Sequence, residues 1–364
     1  MTLSLSERDR RYRAVRAMME EKELSVLVAA SNAMWTGNVR YFSNFFPAYG
    51  YFYLIFPKEG EATQYVGAAN SALVAQREGW VKDTRTAPNV AEALVKRMRE
   101  LGAAENGVGL MGVENIAFRI YEHLKKEFPS ARFVDVTQDI FNMRMVKSDE
   151  EIAIVRNCAR LNTQLLGEVK KVAKVGANER DVYAQINDAV WKAGVEHMFQ
   201  LIASGPFPVS ARIWPHNRTL AREDSVFLEL TPRLDGYYTQ ICVTHPVAEP
   251  SARMKEFLDV AAAALDAGAK LMKPGNCAGD VARTMQETIE KAGYTMPFRP
   301  GHSMGHELDE PPGIVAGNGT VFKPGMTIVL HPSMMDANGD GVFVGDSYLL
   351  TETGWERLTT NTGI

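Results

Sequence analysis

Five stretches in the second half of the chain each carry a proton-handling or ligand-type side chain where apolar or turn residues would otherwise stand. "IWPHNRTL" puts His216 after a proline in a loop, and "FLELTP" sets Glu229 inside an apolar strand-forming run. "GYYTQICVTH" does the same with Gln240, and "RPGHSMGHELDEPPG" gathers His302, His306, Glu307, Asp309 and Glu310 between glycines and prolines. "GMTIVLHPSM" ends a run of strand formers on His331. An unpaired carboxylate in an apolar strand costs several kcal/mol, so Glu229 needs a partner or a purpose. Imidazoles titrate near working pH, which suits such a set to general acid–base chemistry. His302, His331 and Glu229 are also an acceptable ligand trio for one zinc ion.

Each residue has a plainer reading. His216 could be an exposed loop residue, Glu229 part of a structural hydrogen-bond network, Gln240 one half of a polar sheet pair, and His331 a satisfied core imidazole. Asp309 and Glu310, adjacent in a turn, would then be solvated. His197 and His245 have no supporting context and are read as structural. Co-occurrence in five segments is what points to a site. "DANGDG" at 336–341 begins like a calcium loop, but its twelfth position is Ser347, where a bidentate Glu is required; it reads as a hairpin turn.

The elements that must position these residues fall into two parts, 1–144 and 145–364. A chain of 364 residues is long enough for two domains. The first part alternates a charged helix over 7–22, the β-type run "LSVLVAA", the aromatic stretch "RYFSNFFPAYGYFYLIFPKEG", helices over 89–102 and 117–127, and the strands "GVGLMGV" and "ARFVDV". That is a small α/β domain. In the second part Ser148 and Glu151 form a capping box before a long helix, and a second helix follows over 179–193. Strands then turn at Asp235-Gly236. The order recurs with helices over 251–272 and 278–292 and the strands "TIVLHPSMM" and "VFVGDSYLL". Two helices followed by an antiparallel hairpin, twice over, describe a pseudo-symmetric α+β domain with helices on one face of a curved sheet.

Composition excludes several functions. A net charge of -4, with 46% apolar and 23% charged residues, gives no electrostatic reason to expect nucleic acid or an anionic membrane as partner. No apolar run approaches the ~20 residues that span a bilayer, and the charged amphipathic N-terminus is not a signal peptide. Cys158, Cys242 and Cys277 make neither a disulfide framework nor a zinc knuckle. The chain reads as cytoplasmic, soluble and reduced.

With these elements in order, the chain resembles the pita-bread fold of creatinase, prolidase, aminopeptidase P and methionine aminopeptidase. "RMVKSDEEIAIVRNCARL" is similar to the entry into the catalytic domain, "GHSMGHELDEPP" to the glycine-histidine turn, "FKPGMTIVLHP" to the strand that normally ends Glu-Pro, and "GDSYLLTETGWERLT" to the closing hairpin. The resemblance implies a creatinase/prolidase-type N-terminal domain over 1–144 and a pita-bread catalytic domain over 145–364. Peptidases of the family hold two metal ions with two Asp, one His and two Glu. The corresponding positions here are Glu229, Gln240, His302, His331 and Gly345, and a further histidine before "EPP" is Asp309. A dinuclear site needs several anionic ligands.

The resemblance therefore leads to the metal-free creatinase branch. His216 falls at the position of creatinase's proton-transferring histidine, and "GYYTQICVT", with Tyr238, resembles its "GYYT" strand. Cys242 and His331 stand where creatinase has substrate-binding glutamates, and "FFPAYGYFYL" lacks its carboxylate-clamping arginine. The expectation is a metal-independent, creatinase-like hydrolase, not a peptidase, acting on a C–N bond of a small molecule other than creatine. His216, Glu229, His302 and His331 would be catalytic. Gln240, Tyr238, Cys242, Asp309, Glu310, Phe46 and Tyr49 would contact substrate, with no metal or cofactor. A homodimer is expected, in which Phe46 or Tyr49 of one subunit approaches the partner's site. Alternatives on the same fold are a lyase or decarboxylase, a single-zinc hydrolase, and an inactive ligand-binding homologue.

Overall fold

Ser148 caps a long helix near the start of the second of two units, Thr2–Arg144 and Met145–Ile364, in a computed structural model that describes residues 3–32, 34–46, 50–103 and 107–360. The first unit holds helices α1 (Leu5–Glu21), α2 (Gly37–Ser43), α3 (Ala69–Glu78), α4 (Val90–Glu100), α5 (Phe118–Glu127) and α6 (Thr137–Met145). Its strands are β1 (Leu24–Asn32), β2 (Tyr51–Pro57), β3 (Thr63–Tyr65), β4 (Asp83–Arg85), β5 (Gly107–Met111) and β6 (Phe133–Asp135). They form one sheet in the order β4-β3-β2-β1-β5-β6, with β2 antiparallel to both neighbours. Leu27 and Ala29 of β1 join one apolar cluster and Val26, Val28 and Ala30 the other, so the sheet is covered on both faces. Helix α2 runs into the start of the aromatic stretch and is not expected from the sequence. It has no side-chain N-cap bond, and all seven of its residues are buried, so tertiary packing holds it.

The second unit begins with helices α7 (Asp149–Val172) and α8 (Glu179–Lys192) and strands β7 (His197–Gly205), β8 (Ser225–Leu234), β9 (Tyr237–Tyr238) and β10 (Ile241–Pro246). Helices α9 (Ala252–Leu271) and α10 (Ala278–Lys291) follow, with strands β11 (Gly301–Ser303), β12 (Glu310–Gly313), β13 (Thr327–Leu330), β14 (Ser333–Met335), β15 (Gly341–Phe343), β16 (Asp346–Leu350) and β17 (Trp355–Arg357). The sheets run β10-β8-β7, with β9 on β8, and β12-β11-β13-β16-β17, beside the β14-β15 hairpin that "DANGDG" turns. This is the α+β order expected, two helices and then antiparallel strands, twice. Both halves of the Ser148–Glu151 capping box are made. Asp235 and Gly236 turn β8 into β9 with φ of 47° and 92°, the positive angles of a tight hairpin. Strand β7 was not anticipated by the alternation of its letters. Among the described residues no helix is long and apolar enough to cross a membrane.

Candidate active site

Alternation along β8 decides which side chains meet. Val226, Leu228 and Leu230 pack with Leu165 and Leu166 of α7 and Val182 and Ile186 of α8. Phe227, Glu229 and Thr231 therefore leave the opposite face. Glu229 pairs with Cys242 of β10 on one side and with Leu201 of β7 on the other, while Ala203 pairs with Phe227. Phe227, Cys242 and Phe343 form an apolar floor, the two rings stacked at 5.0 Å, with Leu201, Ala203 and Ala211 against it. His331, just past β13, stands 5.3 Å from the Phe343 ring and 5.2 Å from the ring of His302 in β11. A backbone pair between Cys242 and Gly345 joins the two halves beneath them. A Cβ at residue 345 would lie 2.6 Å from His331 Cβ and 2.6 Å from the Leu330 carbonyl oxygen. The imidazole is seated there because residue 345 has no side chain.

Burial sets the charges of this group. The Glu229 carboxyl, partly open to solvent, is raised to about 7 by its desolvated surroundings, with the nearby Arg299 cation pulling the other way. Burial lowers His302 to about 4, and its Nδ1 stands 3.0 Å from the Ser303 carbonyl, which makes Nδ1 the donor in the neutral ring. His331 falls to about 3, through burial first and then the neighbouring His302. The Cys242 thiol is pushed well up by burial and by Glu229. Both imidazoles are thus neutral near pH 7 while Glu229 can exchange a proton. Of the buried side-chain polar atoms without a hydrogen-bond partner among the described residues, His331 Nδ1 and Gln240 Oε1 belong to this group; the Gln240 Nε2 donates to Cys242 Sγ at 3.3 Å. Buried polar atoms left this way are rare and ask for a ligand or water.

The other expected residues lie apart from this group to differing degrees. His216 is exposed, its backbone N–H donating to Glu179 Oε1 at 2.6 Å and its ring against Arg212. It lines a cavity of about 230 Å³ that shares Ala203 and Ala211 with the apolar floor. Tyr238 spends its hydroxyl on His197 Nδ1 at 3.0 Å, which gives that histidine a structural role. Glu310 is buried, 3.8 Å from Lys147 and accepting from the Glu307 N–H at 3.0 Å, so it braces the turn rather than being solvated. Asp309 is paired with Arg299 and lies 3.9 Å from His302 Nδ1. Phe46 belongs to the N-terminal unit, half-buried near the Arg40 guanidinium, and Tyr49 lies outside the described residues. A cavity of about 530 Å³ in that unit, lined by Tyr53, Tyr65, Arg119 and His123 among others, includes none of the expected site residues. Sequence reasoning missed Arg299; its only signal was a cation between Phe298 and Pro300, just before the Gly301-His302 turn.

Comparison with known proteins gives this geometry a lineage. Residues 153–352 match the model of Metallopeptidase family M24, and residues 11–146 match the Creatinase/Prolidase N-terminal domain. An uncharacterized hydrolase/peptidase of Sinorhizobium fredii is 30% identical over 71% of this chain and 67% of its own. A Xaa-Pro dipeptidase of Pyrococcus horikoshii is 26% identical over 94% of each chain. The structure of the prolidase from Pyrococcus furiosus superimposes with a TM-score of 0.82 at 25% identity, over 95% of this chain and 99% of that one. The fold is thus the creatinase-type N-terminal domain followed by the pita-bread catalytic domain.

These matches overturn the metal-independent, non-peptidase hydrolase expected above. Creatinase likeness holds at the level of the family, and the relatives named are peptidases. That expectation rested on substitutions at a few ligand positions, whereas the likeness is carried by the whole sequence. The side chains at those positions still do not fit a pair of divalent ions. Glu229 supplies one carboxylate, Gln240 is a neutral amide, and position 345 is closed to any side chain. Among the described residues no group of three or more His, Cys, Asp or Glu is arranged to hold a metal ion.

Proposed function

Because the chain belongs to the creatinase and prolidase family of metallopeptidases, we propose that it hydrolyses the amide bond of a small, dipeptide-like substrate at Glu229, His302 and His331. One observation carries this reading: two buried polar atoms without partners, Gln240 Oε1 and His331 Nδ1, accompany a carboxyl raised to about 7. The orphaned atoms are places for a substrate's own donors and acceptors. Glu229 is poised to take a proton from an attacking water as its oxygen bonds to the amide carbon. It then returns that proton to the nitrogen as the C–N bond breaks, a use that calls for a pKa near working pH. The neutral His302 ring can hold the carbonyl or the water by hydrogen bonding without adding charge. His216, on its loop beside the shared cavity, is the second proton-handling group in this reading. Tyr238 and Glu310, engaged elsewhere, have no part in it. The resemblance to creatinase further supports a homodimer.

The test is a panel of Xaa-Pro and other dipeptides offered to the wild-type protein and to Glu229→Gln. Release of the C-terminal amino acid by the wild type, reduced ~10²–10⁴-fold in the variant, is the expected result. Equal rates for the two proteins, or no cleavage of any dipeptide, would overturn the proposal.

A further inference from the structure

The cavity of about 530 Å³ in the N-terminal unit takes no part in the chemistry described above, yet its walls are well defined. Tyr53 of β2 and Tyr65 of β3 are direct partners across an antiparallel pair, so their side chains stand side by side on one face of the sheet. Both are buried in the apolar cluster that α4 and α5 cover through Leu94, Val95, Ile120 and Leu124. Their hydroxyls are tied to the two helices. Tyr65 donates to the Ala93 carbonyl at 3.2 Å, and Tyr53 accepts from the Ala117 N–H at 3.5 Å. Strands β1, β3, β4, β5 and β6 run in one direction. Val66, Gly67, Ala87 and Pro88, which follow β3 and β4, put the cavity at the carboxyl edge of those strands, where open α/β sheets take their ligands. Arg119 and His123 stand four apart on α5 and so share one face at its rim. Asn89 is spent on the Glu92 N–H at 3.4 Å. Among the described residues no carboxylate lines the cavity or pairs with Arg119. In a chain of net charge -4, that exposed, uncompensated cation favours an anion there. The volume is that of a site for a whole small molecule, so the anionic group needs a body. The tyrosine pair with Ile120 and Val66 suits a flat aromatic one.

We propose that this cavity binds a small aromatic anion, its ring against Tyr53 and Tyr65 and its charged group at Arg119 and His123. The site is made entirely of residues of the N-terminal unit and does not depend on the amide-hydrolase reading. One guanidinium and one imidazole match a single carboxylate or phosphate group rather than a polyphosphate chain. The tyrosine hydroxyls are already engaged, so the ring is held by packing and the charge by Arg119.

The experiment titrates benzoate and adenosine monophosphate calorimetrically into the full chain, each beside its neutral counterpart, benzamide or adenosine. At least one anion should bind at one site per chain, roughly ten-fold or more tightly than its counterpart. Either anion doing so upholds the proposal, and the tighter of the two fixes the charged group as carboxylate or phosphate. Arg119→Gln should weaken that anion roughly ten- to a hundred-fold, the loss of a hydrogen bond to a charged group, and leave the neutral counterpart within about three-fold. Arg77→Gln, which removes an exposed cation of α3 outside the cavity, should bind as the wild type does. Both arginines are exposed, so an unchanged Tm in each variant separates lost binding from lost folding. Absence of binding by both anions at millimolar concentration, or equal affinity for anion and counterpart, would overturn the proposal. So would undiminished binding in Arg119→Gln, or an equal loss in Arg77→Gln.

Discussion

Replacing Glu229 by Gln should change how stability depends on pH. The carboxyl moves from an ordinary 4.5 to about 7 because folding strips water from it. Between those values the folded protein keeps a proton that the unfolded chain releases. The contribution of Glu229 to stability is therefore complete below about pH 4.5 and is lost as pH rises through about 7. At ~1.4 kcal/mol per pKa unit, and allowing for water that reaches the partly open carboxyl, the loss is ~2–3 kcal/mol. Glutamine keeps the shape and stays neutral throughout. Glu229→Gln should thus match the wild type near pH 4.5 and exceed it near pH 8, by roughly 4–12 °C in Tm for a unit of this size. The opposing slopes from His302 and His331 are common to both proteins and cancel in the difference. Thermal melts of the two proteins at pH 5, 6, 7 and 8 provide the measurement. A difference that stays constant with pH would show that the Glu229 carboxyl titrates normally and would refute the reasoning.

Other outcomes follow from the same geometry. Gly345→Ala places a methyl 2.6 Å from His331 Cβ and from the Leu330 carbonyl, backbone-anchored atoms that cannot swing away, so it should cost at least ~1–3 kcal/mol in urea unfolding; a loss below 0.5 kcal/mol, on the order of an ordinary surface change, would mean the two positions are not interlocked. His216→Ala should lower turnover of the cleaved dipeptide by ~10²–10⁴-fold with little change in Tm, since the side chain is exposed; near-normal turnover would remove His216 from the chemistry. Sedimentation at micromolar concentration should find a homodimer, and a single monomeric species would end that expectation.

Much of the architecture was legible because its causes are local. Ser148 and Glu151 satisfy each other's backbone neighbours within one turn, and Asp235-Gly236 supplies the positive φ angles that a tight hairpin needs. The apolar alternation through Val226, Leu228 and Leu230 already set Glu229 on the face away from the helices. Function was less legible. Donor types at a few positions pointed away from peptidases, while the likeness to peptidases is spread over residues that look like ordinary core.

Only the tertiary structure decided who partners whom. Tyr238 meets His197 across the sheet, Glu310 meets Lys147 far back in the chain, and His331 occupies space left by Gly345. Arg299 joins the group through a charge that acts across segments brought together by folding. A sequence displays the chemistry each side chain can perform, but burial and contact depend on residues tens to hundreds of positions away. It is burial that keeps His302 and His331 neutral and lifts Glu229 into the range where it can move a proton.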